Sequence, residues 1–274
     1  MTLDLESVRQ HWDAKATAWA NHSDTLSTMA DRYNLPLLEA AGLTTGDHVL
    51  DLASGVGEPA FTEARLAGPD GVVIATDLAE GMLTALKARD KGTLLHLTTA
   101  DMQRLPFRDS CFNRVICRFG IMFVPDPMTA LTDVRRVLVP DGRAAFMVWG
   151  PREDQTLFSL LSSAVESVTG EPPDDHHFQI FRFGEPGSLA ALFKSAGFVD
   201  VTETSHSFAP LAPLDVPFWR APLEMTFGHV VDQLSAQDRQ KLDDDILNRL
   251  QAVREAKGYR LHANLHIIAG RHGI

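Results

Sequence analysis

The chain has 274 residues, 45% apolar and 22% charged, enough for one sizeable core with an embellishment. Its net charge of −11 and pI near 5.4 argue against nucleic acid, whose phosphates call for a basic face. No apolar run reaches the ~18 residues of a membrane span. The opening Met1-Thr-Leu-Asp-Leu-Glu lacks the basic and apolar regions of a secretory leader. Cys111 and Cys117 read as reduced structural thiols, so the expected compartment is cytoplasmic.

Val8, Trp12, Ala16 and Trp19 recur at helical spacing. They predict an N-terminal helix that either packs its aromatic stripe on the body or closes over a ligand. Helical pattern resumes at Leu35–Ala41 and stops at Gly42, a C-cap residue. The run 48–53 reads as a first strand with an acid, Asp51, inside it. Gly55 and Gly57 form a tight loop, and Pro59 opens a helix reaching Ala67. A second strand, 72–76, ends on Asp77, followed by a helix over 80–91. A third strand, 94–99, leads to Asp101-Met102. A fourth, 113–117, leads to Arg118. A helix over 128–138 and a fifth strand, 144–149, complete the alternation. Strand and helix units of this length predict a parallel sheet covered on both faces, with ligands beyond the carboxyl ends of the strands.

Gly55-Val-Gly57-Glu-Pro-Ala60 fits the dinucleotide pattern G-x-G-x-x-G/A, and a helix N-terminus behind it suits an anion. Asp51 and Glu58, however, would set two carboxylates beside a pyrophosphate. They suit a ligand with a positive centre. S-adenosylmethionine (SAM) has an ammonium, a sulfonium and one carboxylate.

Asp51-Leu-Ala-Ser-Gly55-Val-Gly57-Glu resembles the glycine loop of the class I SAM-dependent methyltransferases, in the variant of the ubiquinone/menaquinone-biosynthesis small-molecule superfamily. The resemblance spans about 49–150, and returns weakly near 183–201. Val137-Leu-Val-Pro-Asp141-Gly142 matches the family's turn before strand five, with Asp141 for a glycine. Asn113 stands for a commoner aspartate. The resemblance implies a Rossmann-like α/β fold: a seven-stranded, mostly parallel sheet, last strand antiparallel, with helices on both faces and a helical cap. It implies SAM as cofactor and S-adenosylhomocysteine as product. It places Asp51, Ala53, Gly55, Gly57 and Arg118 along the methionine part of the cofactor. Asp77 falls on the ribose hydroxyls, Asp101 on the adenine amino group, and Leu78, Met82 and Met102 on the ring. Each has a structural alternative: Asp77 as a helix cap, Asp101 as a loop cap, Met82 as core, Arg118 as a surface ion pair.

The expected organisation is an N-terminal helical lid (1–45), a SAM-binding core (46–150), a cap insertion (151–186), core completion (187–207 and 259–274) and a helical cap (208–258). Phe218, Trp219, Met225 and Phe227 in the second cap suggest an apolar acceptor pocket. His176 and His177 in the first are the candidate general bases, ahead of His206 and His229. No carboxylate set resembles a metal site, so none is expected. The reading is methyl transfer to oxygen or carbon of a small, mostly apolar, aromatic or polyketide-like acceptor. Three alternatives stand beside it. One is a SAM-fold protein without methyl transfer, acting as cyclase or binding module; another is an NAD(P)-dependent oxidoreductase; the third, an RNA or protein methyltransferase, is disfavoured by the net charge of −11 and the expected cap. A homodimer is left open.

Overall fold

A computed structural model describes residues 4–93, 95–172 and 179–273, and of residues 24–31 the backbone alone. Two helices come first, α1 (Leu5–Asn21) and α2 (Ser23–Ala41), the second ending on Gly42 at φ +64°. Then strands and helices alternate: β1 (His48–Leu52), α3 (Ala60–Ala67), β2 (Val72–Asp77), α4 (Glu80–Arg89), β3 (His96–Thr99), β4 (Phe112–Arg118), α5 (Pro127–Val137) and β5 (Leu138–Trp149). After β5 come α6 (Thr156–Thr169), α7 (Ser188–Ser195), β6 (Phe198–Phe208), β7 (Leu211–Ala212), α8 (Arg220–Val231), α9 (Ala236–Leu250), β8 (Arg254–Glu255), β9 (Gly258–Arg260) and β10 (Ala263–His272).

The main sheet has seven strands in the order β3-β2-β1-β4-β5-β10-β6, mostly parallel with one antiparallel strand, as the Rossmann-like expectation required. β1 lies between β2 and β4, so Asp51 stands opposite Ala75 on one side and Ile116 on the other. Strands buried on both faces need continuous apolar sequence, and Val49, Leu50, Val115, Ile116, Ala144, Phe146 and Met147 are fully buried. In that company Asp51, also fully buried, is the exception.

The residues group into two compact units. The first holds 1–148, 186–204 and 266–274; the second holds 149–185 and 205–265. The second has its own core, in which Leu161, Trp219, Leu223, Phe227, Ile246, Leu250 and Tyr259 are buried together. This corrects the reading of Trp219, Met225 and Phe227 as pocket lining. They are at most 9% exposed, Trp219 and Phe227 within this core. A second correction concerns the stretch 259–274, expected to complete the core. Tyr259 belongs to a separate strand, β9, which pairs antiparallel with β7 and β8 in a small three-stranded sheet.

Departures from the family pattern are absorbed locally. Asp141 takes φ +64°, the left-handed turn a glycine would adopt, and its carboxylate is held by Arg271. Asn113 accepts from the His48 amide at 2.8 Å and so secures the start of β1. Cys111 and Cys117 are free; burial pushes the Cys117 thiol up to about 12.

Candidate functional site

The loop after β1 is built from left-handed backbone: Ala53 at φ +55°, Gly55 at +53° and Gly57 at +111°. Among the bonds that tie it down are two between backbone groups, Ser54 N to Thr76 O and Gly57 N to Ser54 O, both 2.9 Å. A Cβ at Gly57 would be driven into the Phe61 ring, whereas one at Gly55 would meet nothing within 4 Å. Gly57 is therefore needed for packing, and Gly55 for its backbone conformation. Helix α3 begins one residue later than the sequence suggested. The Pro59 carbonyl accepts its first bonds, from Thr62 and Glu63, so Pro59 is the cap and Ala60 the first helical residue.

Around this loop the acids outnumber the bases. Asp77, at the end of β2, accepts from the Gly55 amide and the Ala79 amide, each at 2.9 Å. It thus braces the glycine loop and caps the approach to α4 at once. Burial pushes its carboxyl up to about 6, against the backbone amides that favour its charge. A carboxylate has about four lone-pair sites, so Asp77 can accept from a ligand as well. Asp51 is fully buried and neither of its carboxylate oxygens accepts a hydrogen bond. Burial pushes it up to about 8, helped by the negative charges of Asp77 and Glu58; Ser54 and Arg118 pull the other way. Glu63, on α3, is just as buried and just as unpartnered, and burial together with Asp51 raises it well above the carboxylate range.

The positive side of the site comes through α2. Asn34, fully buried, donates to Glu58 Oε2 at 3.0 Å and Thr62 Oγ1 at 3.3 Å, and accepts from Arg118 Nη1 at 2.8 Å. Arg118 also lies over the rings of Tyr33 and Phe119. Arg89 of α4 donates to the Val56 carbonyl and stands 3.9 Å from Glu58. Glu58 is therefore already matched by Asn34 and Arg89, and the charge argument against a pyrophosphate falls chiefly on Asp51. Sequence reasoning missed Asn34 and Glu63. Both were visible as polar residues on buried stripes: Asn34 with Leu37, Leu38 and Ala41, Glu63 with Ala60 and Ala67.

Asp101 and Met102 follow β3. Asp101 accepts from the Gln103 amide at 2.9 Å, capping its own turn. Met102 is 8% exposed, and Leu78 is half-buried after Asp77. Arg136 braces this region through the carbonyls of Leu105 and Phe107 and through Asp133 and Asp109. Met82 sits in a cluster with Ala16, Val56 and Ala79, flanked by Trp12 and Trp19. The cluster packs α1 on α4 beside the glycine loop, and Asp13 of α1 accepts from the Gly81 amide at 3.0 Å. Trp12 also meets the Phe123 ring edge-on at 4.9 Å between centroids. His176 and His177 lie outside the described residues.

Residues 50–146 match the family model described as a methyltransferase domain. The ubiquinone/menaquinone biosynthesis C-methyltransferase UbiE of Cupriavidus necator is 34% identical over 172 residues, covering 59% of this chain and 71% of the relative. The chain belongs to the class I SAM-dependent methyltransferases. Two solved structures share the fold of this methyltransferase. One is a Bacillus halodurans protein provisionally named a methyltransferase (TM-score 0.58, 19% identity, 88% of this chain and 98% of that one). The other is phosphoethanolamine N-methyltransferase 2 of Haemonchus contortus, bound to phosphomonomethylethanolamine and S-adenosylhomocysteine (TM-score 0.61, 18% identity, 100% of this chain and 60% of that one). Its cofactor is SAM. The residues present fit that molecule: an orphaned buried carboxylate for a cation, a carboxylate with spare lone pairs at the end of β2, and a guanidinium, Arg118, for an anion. Among the described residues no helix is long and apolar enough to cross a membrane, and no three metal-type ligands converge.

Proposed function

We propose that this methyltransferase acts on a small aromatic acceptor, at carbon or oxygen, and that its cofactor is held by the residues singled out above. The observation that supports the acceptor class is the half-buried aromatic set around the end of β4. The Arg118 guanidinium lies over both Tyr33 and Phe119, and Trp12 stands against Phe123. Flat apolar rings of this kind favour a flat apolar partner. The C-methyltransferase relatives favour carbon over oxygen.

SAM supplies the methyl group on a sulfonium, and displacement proceeds in line. The protein's part is alignment and exclusion of water. In this reading Asp77 takes the ribose hydroxyls on its free lone pairs, Asp101 the adenine amino group, and Leu78 and Met102 the ring, with Met82 behind. Asp51 faces the ammonium across the glycine loop formed by Ala53, Gly55 and Gly57, and Arg118 the carboxylate. Helix α1 closes the cofactor side. His176 and His177 remain the candidate bases for an acidic carbon or a phenol.

The test is incubation of the full chain with SAM and a panel of phenols, hydroquinones and aliphatic amines, read by mass spectrometry for a methylated product. Transfer to a hydroquinone ring carbon is the expected result. Transfer to amines alone overturns the aromatic reading.

A further inference from the structure

We propose that Asn34 is a positioning residue for the cofactor's carboxylate: a neutral amide set between Glu58 and Arg118, it orients the guanidinium and leaves its charge uncompensated for that ligand group. The proposal rests on the reading that Arg118 takes the carboxylate.

Asn34 occupies a place on α2 where packing alone calls for an apolar residue. It shares a stripe with Leu37, Leu38 and Ala41, and all four are at most 2% exposed. Asparagine is a poor helix former, and a buried amide is costly unless its polar atoms find partners. Both ends of this amide do. Nδ2 donates to Glu58 Oε2 at 3.0 Å and to Thr62 Oγ1 at 3.3 Å, and Oδ1 accepts from Arg118 Nη1 at 2.8 Å. The partners fix which way the amide faces. A guanidinium only donates and a carboxylate only accepts, so turning the amide over would break the contacts to Arg118 and Glu58.

Arg118 is held without being neutralised. It is half-buried, and Asn34 is its one hydrogen-bond partner among the described residues; its further contacts are the rings of Tyr33 and Phe119. Burial works against the cation, and Glu58, Tyr33 and Asp51 offset it only in part. A guanidinium carries five donors in a planar fork, so an incoming carboxylate can still be met by two parallel bonds. Glu58 is the acid that could quench this charge from within. Asn34 stands between the two, and Arg89 faces the other Glu58 oxygen at 3.9 Å while donating to the Val56 carbonyl. The two cations are thus divided by task, Arg89 for the glycine loop and Arg118 for a ligand. An aspartate at 34 would have the same shape and would still accept from Arg118. It would also set a negative charge against the guanidinium and against an arriving carboxylate.

The experiment is calorimetric titration of the full chain with SAM and with decarboxylated SAM, which keeps the sulfonium and the amino group and lacks only the carboxylate. The ratio of the two dissociation constants isolates that group. Wild type is expected to prefer SAM by about 10- to 100-fold, the weight of hydrogen bonds between charged groups. Asn34→Asp is expected to cut this preference by about tenfold. Asn34→Leu, the less stable of the two, is expected to cut it less, because Arg118 keeps its charge. A residue that only supported the fold would give the reverse order, following stability. If Asn34→Asp folds poorly, combining it with Glu58→Gln removes the repulsion, and the same fall in preference is expected. An unchanged preference in Asn34→Asp, or in that double variant, overturns the proposal. So does an equal or larger fall in Asn34→Leu. The underlying reading fails separately: Arg118→Met would then weaken both ligands by the same factor.

Discussion

Asp77 and Gly55 meet across the ends of two neighbouring strands, the glycine amide donating to the carboxylate at 2.9 Å. The residue assigned to the ribose thus also holds the loop assigned to the methionine half. Asp77→Ala should weaken 5′-methylthioadenosine, which lacks the amino acid, on the order of 10- to 100-fold, as expected for loss of charge-assisted hydrogen bonds, and SAM by more, because the glycine loop loses its brace as well. Titration with both ligands checks it. Because the ligand needs the ionised acid and Asp77 titrates at about 6, wild-type affinity for methylthioadenosine should fall as pH drops from 7 to 5.

Asp51 gives an opposite signature in stability. Its folded value, about 8, lies above that of an unfolded aspartate, so the native state binds the proton more tightly. That contribution is fully present below about pH 4 and is lost as pH rises through 8. Asp51→Asn should therefore melt higher than wild type at pH 8, by roughly 2–5 °C, with the gap closing at pH 5. It should at the same time lose SAM affinity. Differential scanning calorimetry without ligand reads the first effect.

Asn34 serves three partners from a fully buried position. Asn34→Leu keeps the volume but takes one hydrogen-bond partner from each of Arg118, Glu58 and Thr62. A loss of about 1–3 kcal/mol, or roughly 3–10 °C in Tm, is expected. Asn34→Asp should recover the Arg118 contact while repelling Glu58, leaving the protein intermediate.

Gly57→Ala should leave the sheet intact but displace Phe61 or the loop, since the new methyl falls on that ring. The expected outcome is a native-like circular dichroism spectrum with SAM affinity reduced at least tenfold.

Most of the sheet was legible because β1, β2 and β4 are apolar runs punctuated by Gly55, Asp77 and Arg118 at their carboxyl ends. What was misread has physical reasons. Phe227 and Trp219 look the same in sequence whether they line a pocket or fill a satellite core, and the partners that decide it, Leu161 and Ile246, are far from local neighbours along the chain. Tyr259 was assigned with 260–274 to core completion because Leu261 and His262 carry no turn signal. Glu58 read as a free acid because its counter-charge, Arg89, is 31 residues downstream and its amide donor, Asn34, 24 upstream. Pairings at that distance have no local pattern to announce them.

Helix α1 has an optical consequence. Two of the four tryptophans, Trp12 and Trp19, pack against Val56 of the glycine loop and Met82, and the other two, Trp149 and Trp219, belong to the second unit. Intrinsic emission therefore carries two separable reporters. With Trp149 and Trp219 replaced by phenylalanine, the remaining fluorescence watches the cofactor side alone, and a stopped-flow trace would time the docking event without any label.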